Sequence, residues 1–393
     1  MDDERPTQHV TKTPKKSNWL SLVAFGLAIV MGAAACTSTT DDAAQNANGV
    51  EETVVPDDTE ATDPTIDEAP EVVDVEPEVV DVPETTAPGQ DVERLLVGDD
   101  GVIFGAASGT RPGETNFDAI EGIEANLGAT LPIVRRFRRW EDNLNSEYHQ
   151  WLVDGGRAIH LSIKPTRDTG EVVLWRDIGA ASAGSQIHDE MVRMANQLNE
   201  LEGEIWLSFH HEPEAGDEAS GTPDEFQDAW RNFRSVFEAE GVDATWVLTM
   251  TGFSYRVPET DVRSVVNWYP GDDQVDFVGA DIYNWNNCRN NPEPWRSLES
   301  ALDDVIEFAD SRGKQIVLPE FGSDEGEPGA KGVWLDEVQT LMKDPFYSSR
   351  FAAILYFDTI GSEPDCNWLL ESSPEVVAAA GRIAQDPFFR GGS

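Results

Sequence analysis

Basic residues are scarce in this chain: 28 Lys and Arg stand against 74 Asp and Glu, for a formal net charge of −46. A surface of that sign repels a phosphate backbone, which excludes nucleic acid as a partner. Histidine is rare, at 6 residues, and cysteine rarer, at 3. The apolar run from Trp19 to Met31 is too short to span a bilayer. Between Thr37 and Glu93 there is no Lys or Arg at all. That stretch of Asp, Glu, Pro, Thr and Val cannot bury enough apolar surface to offset its ordering entropy. What the chain does have is a hydrophobic content of 39% with 12 Trp and 17 Phe, enough for one large core.

Residues 1–36 read as a targeting segment. Lys12, Lys15 and Lys16 precede the apolar run, and small residues follow as far as Cys36. Gly32-Ala33-Ala34-Ala35-Cys36 resembles a bacterial lipobox, with Ala33 where Leu is usual. The resemblance implies lipidation of Cys36 and a surface protein tethered to the membrane; an ordinary signal peptide cleaved nearby, with secretion, is the alternative. Residues 37–97 then form a disordered acidic linker. The near-repeats at 71–75 and 78–82 look strand-like, but Pro77, Pro83 and like charges favour an extended, self-repelling spacer. With Cys36 lipidated, Cys288 and Cys366 remain as an even pair in an oxidising compartment, where a disulfide is the default and two free thiols the alternative.

From Gly98 to about residue 390, strand-like and helix-like stretches alternate. Strands are expected at Val102–Phe104, Leu131–Arg136, Ala158–Ile163, Ile205–Phe209, Thr245–Met250, Val275–Asp281, Gln315–Leu318 and Phe351–Phe357. Thr222-Pro223-Asp224-Glu225 is a capping box with Pro at the first helical position, and Phe226, Trp230, Phe233 and Phe237 follow on one stripe. Leu298, Leu302, Val305, Ile306 and Ala309 form another stripe, closed by Gly313. The fifth helix, near Asp261 to Trp268, has the poorest pattern. Eight strands with intervening helices over this length imply a (β/α)₈ TIM barrel of the α/β class.

Two of these strands end in carboxylates, Glu212 after the fourth and Glu320 at the seventh. In a closed eight-strand barrel those tips face each other across the C-terminal mouth, and two facing carboxylates are the minimal equipment for cleaving a glycosidic bond. A lone strand-end Glu that only caps a loop is the plainer reading; two at these strands favour catalysis. His211-Glu212, the run Val275 to Asn284 and Pro319-Glu320-Phe321-Gly322 resemble glycoside hydrolase family 26, the mannanase-type barrels of clan A. The resemblance covers Gly98 to Gln385. It implies Glu212 as general acid/base, Glu320 as nucleophile, His211 as a polar neighbour of the bound sugar, and Tyr283 as the hydroxyl that holds the nucleophile.

The chain also departs from that pattern. Family members typically continue His-Glu with Met-Asn-Gly and a run of tryptophans, whereas here Pro213-Glu214-Ala215-Gly216-Asp217 follows. Aromatics that would stack on sugar rings are therefore missing, and the substrate does not transfer with the resemblance. Trp285 and Trp368, just past strands six and eight, are the best-placed sugar-binding aromatics. Trp140, Trp175, Phe253, Tyr255 and Trp295 also lie near strand ends, where core or surface packing accounts for them. The spacing His210-His211-Glu212-x-Glu214 invites a metal reading, but adjacent residues on a strand point in opposite directions, so no metal or other cofactor is expected.

Two functions compete. One is a retaining endo-β-glycosidase on β-1,4-mannan or a related β-glycan; the other is a catalytically weak carbohydrate-binding or sensing lipoprotein on the same barrel. The expected partners are a polysaccharide or oligosaccharide and the membrane, and the chain is read as a monomer. A chain beginning at Asp91 is predicted to melt at the same temperature as one beginning at Thr37. A drop of several degrees on truncation would show that the linker docks on the barrel.

Overall fold

The computed structural model describes residues 101–216, 220–286, 288–289, 293–359 and 366–391. The signal segment, Cys36 and the acidic linker fall outside the described residues.

Eight parallel strands close on themselves in sequence order: β1 Ile103–Ser108, β2 Ile133–Arg139, β3 Ala158–Lys164, β4 Ile205–Phe209, β5 Ala244–Thr251, β6 Phe277–Asn284, β7 Gln315–Ser323 and β8 Phe351–Asp358. Helices intervene, so the architecture is the expected TIM barrel. Strands β1, β2, β6 and β7 run well past their sequence pattern. β1 continues through the small residues Gly105-Ala106-Ala107-Ser108, which lack a β-branched signal but sit in register with β8 as far as Asp358. β2 continues through Arg138 and Arg139, which pair with Ile163 and Lys164 of β3. An arginine-rich tail reads as solvated chain, yet here it is sheet.

The helix Pro223–Ala239 has the expected capping box between Thr222 and Glu225, with Pro at its start. Its buried Phe226, Trp230 and Phe233 pack on Phe209 of β4, and Phe233 and Phe237 also meet Trp246 of β5. Each such buried aromatic contributes roughly 1.5–3 kcal/mol by leaving water. The stripe ending at Ala309 forms the helix Asp303–Arg312, and Gly313 closes it at φ 63°, a conformation in which a side chain would be strained. In the stretch from Asp261 to Trp268 only Val265–Trp268 is helical.

Strand alternation stacks the barrel interior in layers. Ile133, Ala158, Trp206, Val247, Val317 and Leu355 make an apolar plug. One step further along, the same parity brings in Arg135, His160, Ser208 and Thr249, joined by hydrogen bonds. Another step reaches the mouth, with Phe137 and Ser162 paired across β2 and β3. β7 needs an irregularity to take part. Gly279 pairs with Val317 but Ile282 pairs with Phe321, so β7 carries one residue more than β6 over this interval. The β8 register shifts over the same interval, between Leu318 and Phe321. Pro319, which cannot donate to a ladder, sits inside the bulge. The extra residue turns the next side chain, Glu320, into the barrel.

Beyond β6 and β8, Cys288 and Cys366 form a disulfide across a sequence separation of 78. Both are buried against Trp368, with Tyr283, Trp285 and Phe357 packed around them. In the chain-entropy view a closure of this length contributes about 4 kcal/mol. Cys288→Ser with Cys366→Ser is predicted to lower thermal stability by a comparable amount, measured as a fall in Tm. An unchanged Tm would show that the bridge adds nothing to stability, and two alkylatable thiols in the unreduced protein would refute the pairing.

Candidate active site

The chain leaves β4 through a tight bend. His210 and Glu212 both take positive φ, at 48° and 49°, a strained region for side chains larger than Asn and one that concentrates at functional sites. Backbone bonds hold the bend: His210 donates to the Ile163 carbonyl at 2.9 Å and Glu212 to the Thr249 carbonyl at 2.8 Å. The two imidazoles then part. His210 Nδ1 accepts the Trp175 indole N–H at 3.1 Å, while His211 Nδ1 lies 2.6 Å from the Ser162 hydroxyl at the mouth. Burial and the Arg135 charge hold the His211 imidazole well below its usual pKa, hence neutral. Among the described residues no group of three or more His, Cys, Asp or Glu is arranged to hold a metal ion.

Glu320 is buried and met from two sides. The Tyr283 hydroxyl donates to Oε2 at 2.6 Å and Arg135 Nη2 to Oε1 at 3.2 Å. Arg135 has no solvent exposure. Its other amino group approaches His160 Nδ1 at 3.4 Å, which makes that nitrogen the acceptor and leaves Nε2–H to donate to Ser208 Oγ at 2.9 Å. His160 is therefore neutral, in agreement with a pKa driven well below its usual value by burial and by Arg135. Burial and the Glu320 charge raise the Tyr283 phenol well above its usual value, so it remains a donor.

Glu212 sits in the opposite environment. Burial first, then the charges of Glu320 and Glu214, push its carboxyl up to about 8; the Arg135 charge only partly opposes them. Asp281 is buried, and neither of its oxygens meets a donor among the described residues. Burial likewise raises Asp281 well above the carboxylate range. Glu214 is buried too, its Oε1 accepting from Thr251 N and Oγ1, both at 2.7 Å.

Beside Glu320 opens a cleft of about 640 Å³ bordered by His211, Phe137, Phe357 and the polar ends of β2 and β3. The aromatics differ from those expected. Trp368 is only 2% exposed, its ring set against Tyr283 and Trp285, so it is a buried support and not a surface for a sugar. Trp285 is partly buried under the guanidinium of Arg289 and does not border this cleft. Trp140 and Trp175 are core. Phe137 and Phe357 hold the places facing the cleft. Sequence reasoning passed over them, as it did Arg135 and Asp281; Asp281 and Phe357 close expected strands, and inward parity along each strand was the available signal.

A parallel eight-strand barrel with a carboxyl-lined mouth is the class these features define. No family profile matches the chain. Endoglucanase H of Acetivibrio thermocellus is 26% identical over 296 residues, covering 72% of this chain; the chain spans only 30% of that protein's length. The catalytic domain of a Bacillus sp. JAMB-750 family 26 endo-β-1,4-mannanase superposes with a TM-score of 0.53 at 16% identity, over 74% of this chain and 86% of that domain. A modular family 26 endo-β-1,4-mannanase from Cellulomonas fimi gives 0.51 at 20% identity, over 73% and 71%. The fold is that of the glycoside hydrolase family 26 catalytic domains.

The Glu212 carboxyl has a testable thermodynamic consequence. Its folded pKa lies above the unfolded value near 4.3, so between about pH 4.3 and 8 the folded chain binds the extra proton and stability falls as pH rises. Glu212→Gln, which mimics the protonated form, is predicted to gain Tm over wild type increasingly from pH 5 to pH 8. A Tm difference that is flat with pH would show that Glu212 is not held protonated.

Proposed function

We propose that the barrel is a retaining endo-β-glycosidase that cleaves β-1,4-mannan or a related β-glycan by double displacement, carried outside the membrane on the lipid-anchored linker. The observation that supports this reading is the contrast between two neighbouring carboxyls. Glu320 faces two hydrogen-bond donors, which suit an anion, whereas Glu212 is pushed toward its acid form by burial and like charge. In the first step Glu320 attacks the anomeric carbon while Glu212 delivers its proton to the departing oxygen. In the second, Glu212 takes a proton from water, which displaces Glu320 from the sugar.

Neutral His211 at the cleft wall suits hydrogen bonding to sugar hydroxyls, and Phe137, 38% exposed, offers a stacking face. The Tyr283 hydroxyl orients the Glu320 oxygens. The relatives' names put β-mannan and β-glucan first on a substrate panel read by reducing-sugar release.

Glu320→Ala is predicted to abolish turnover on every glycan of that panel. Because the substitution strips Arg135 of its counter-charge, folding is checked by melting, and Glu320→Gln, which keeps an acceptor, should show the same loss. Glu212→Ala should retain hydrolysis of aryl glycosides whose leaving groups need little proton assistance, while losing at least about a hundredfold on polymer. Residual Glu320→Ala activity within tenfold of wild type, or normal polymer hydrolysis by Glu212→Ala, would remove these roles. A well-folded wild type that binds glycan and releases no sugar would favour the binding-protein reading.

A further inference from the structure

A second cavity, of about 470 Å³, opens past the ends of β6 and β7 and shares no wall residue with the cleft beside Glu320. Its volume falls within the range of small-ligand sites, roughly 300–1,000 Å³. Asn286 lies two residues beyond β6, and Asp324 directly follows β7. Cys288, bridged to Cys366, forms part of one wall, and Trp295 is the largest side chain of the lining.

Packing does not account for Trp295. Trp140, Trp175, Trp230 and Trp334 are buried, and each gives its indole N–H to a protein acceptor. Trp295 is 38% exposed, and among the described residues its N–H has no acceptor and no other ring or cation stacks on it. One part of the indole is nonetheless seated. It lies so close over Gly326 that a Cβ at that position would collide with it, and Gly326 takes φ 62°, a conformation that also favours glycine. The ring is thus pinned against backbone and turns the rest of its surface to the cavity.

A lone exposed aromatic is common on protein surfaces; the polar groups beside this one set it apart. The Asp324 N–H donates to the Asn284 carbonyl at 3.0 Å, which carries the β6–β7 pairing one step past the strands and fixes the residue. Its buried carboxylate is met only by long contacts: Asn286 Nδ2 at 3.3 Å, the Gly326 N–H at 3.4 Å and the Asn367 N–H at 3.5 Å. Lone pairs therefore remain for a ligand. The Asn286 side-chain oxygen and the exposed Glu327 carboxylate meet no donor among the described residues. No Lys or Arg borders the cavity, which disfavours an anion. A quaternary ammonium calls for a cage of several aromatics, and here one ring stands alone. An uncharged ligand with an apolar face and several hydroxyls fits what is left.

We propose that this cavity binds one neutral hexose unit of a glycan outside the catalytic cleft. Trp295 receives the C–H face of the sugar ring, and Asp324, Asn286 and Glu327 accept from its hydroxyls. Asp324 stands four residues beyond Glu320, roughly 13 Å along extended chain, so the unit held here is not the one being cleaved. Contacts made equally before and in the transition state change KM and leave kcat, so the site adds to the hold on a polymer without entering the reaction. This inference rests on the reading of the chain as a protein that acts on glycans.

The test sets Trp295→Ala against wild type on β-mannan and β-glucan, with an aryl glycoside of the same sugar as the small substrate. Polymer binding is read by affinity electrophoresis, with both chains carrying Glu320→Gln to prevent turnover. KM on polymer should rise about fivefold or more and retardation by polymer should weaken in parallel, while kcat and the aryl glycoside kcat/KM stay within about twofold. Trp295→Tyr, which keeps an aromatic face, should retain most of the affinity. Trp295 is exposed, so its loss should leave Tm unchanged. Unchanged polymer affinity in Trp295→Ala, or an equal loss on the aryl glycoside, would overturn the site. Tighter binding of tetramethylammonium than of mannose or glucose oligosaccharides in calorimetry would also overturn it, by making the cavity a cation site.

If wild type releases no sugar, the glycosidase reading fails and electrophoresis alone decides the cavity. Retardation that Trp295→Ala loses would still support it, and absence of retardation by either glycan would refute it.

Discussion

A fully buried guanidinium has to be met by an anion, and much of the barrel's upper interior follows from that requirement. Arg135 is sealed from solvent, and Glu320 is the carboxylate that reaches it. Removing one member of such a buried pair leaves an uncompensated charge, typically worth 3–5 kcal/mol. The pair therefore ties β2 to β7 across the barrel. His160 is kept neutral by burial first and by the same charge second, and the Arg135 contact fixes its tautomer and orients the Ser208 hydroxyl toward the Val247 carbonyl at 2.8 Å. The β7 bulge at Pro319 belongs to this arrangement, since without the extra residue Glu320 would face the helices and Arg135 would lose its partner.

Glu212 depends on the pair indirectly. Burial strips Glu212 of water, and the neighbouring Glu320 carboxyl adds like charge. Two carboxyls of identical chemistry thus meet opposite surroundings by position alone: one lies in a strand and faces donors, the other in a strained bend and faces carboxyls. The left-handed φ at His210 and Glu212 is the backbone's share in that placement.

The fold was legible because barrel strands are buried on both faces and read as apolar runs, and because the helix Pro223–Ala239 announces itself through its capping box and aromatic stripe. Legibility failed where a strand carries unusual residues. β1 ends in small residues and β2 in arginines, and neither composition signals sheet. At the mouth, Glu212 and Glu320 stand out in the sequence as carboxylates that follow apolar runs, whereas His211 and Tyr283 are named only through the family resemblance. Arg135, Asp281, Phe137 and Phe357 could not be ranked, since their importance comes from inward parity and from a register that β7 shifts by one residue. Trp368 misled for a related reason. Its place just past β8 was visible, but not the disulfide-backed packing that turns it away from solvent.

The arrangement also explains how so acidic a mouth is held together. Glu212, Glu214 and Asp281 are each pulled toward the neutral form, with burial the largest cause in every case. Four ionised carboxylates around one buried arginine would repel one another strongly in a medium of low polarity. The shift of each toward its neutral form relieves that repulsion. The burial that gathers these side chains at the barrel mouth thus draws Glu212 toward the acid form that a glycosidase's proton donor needs.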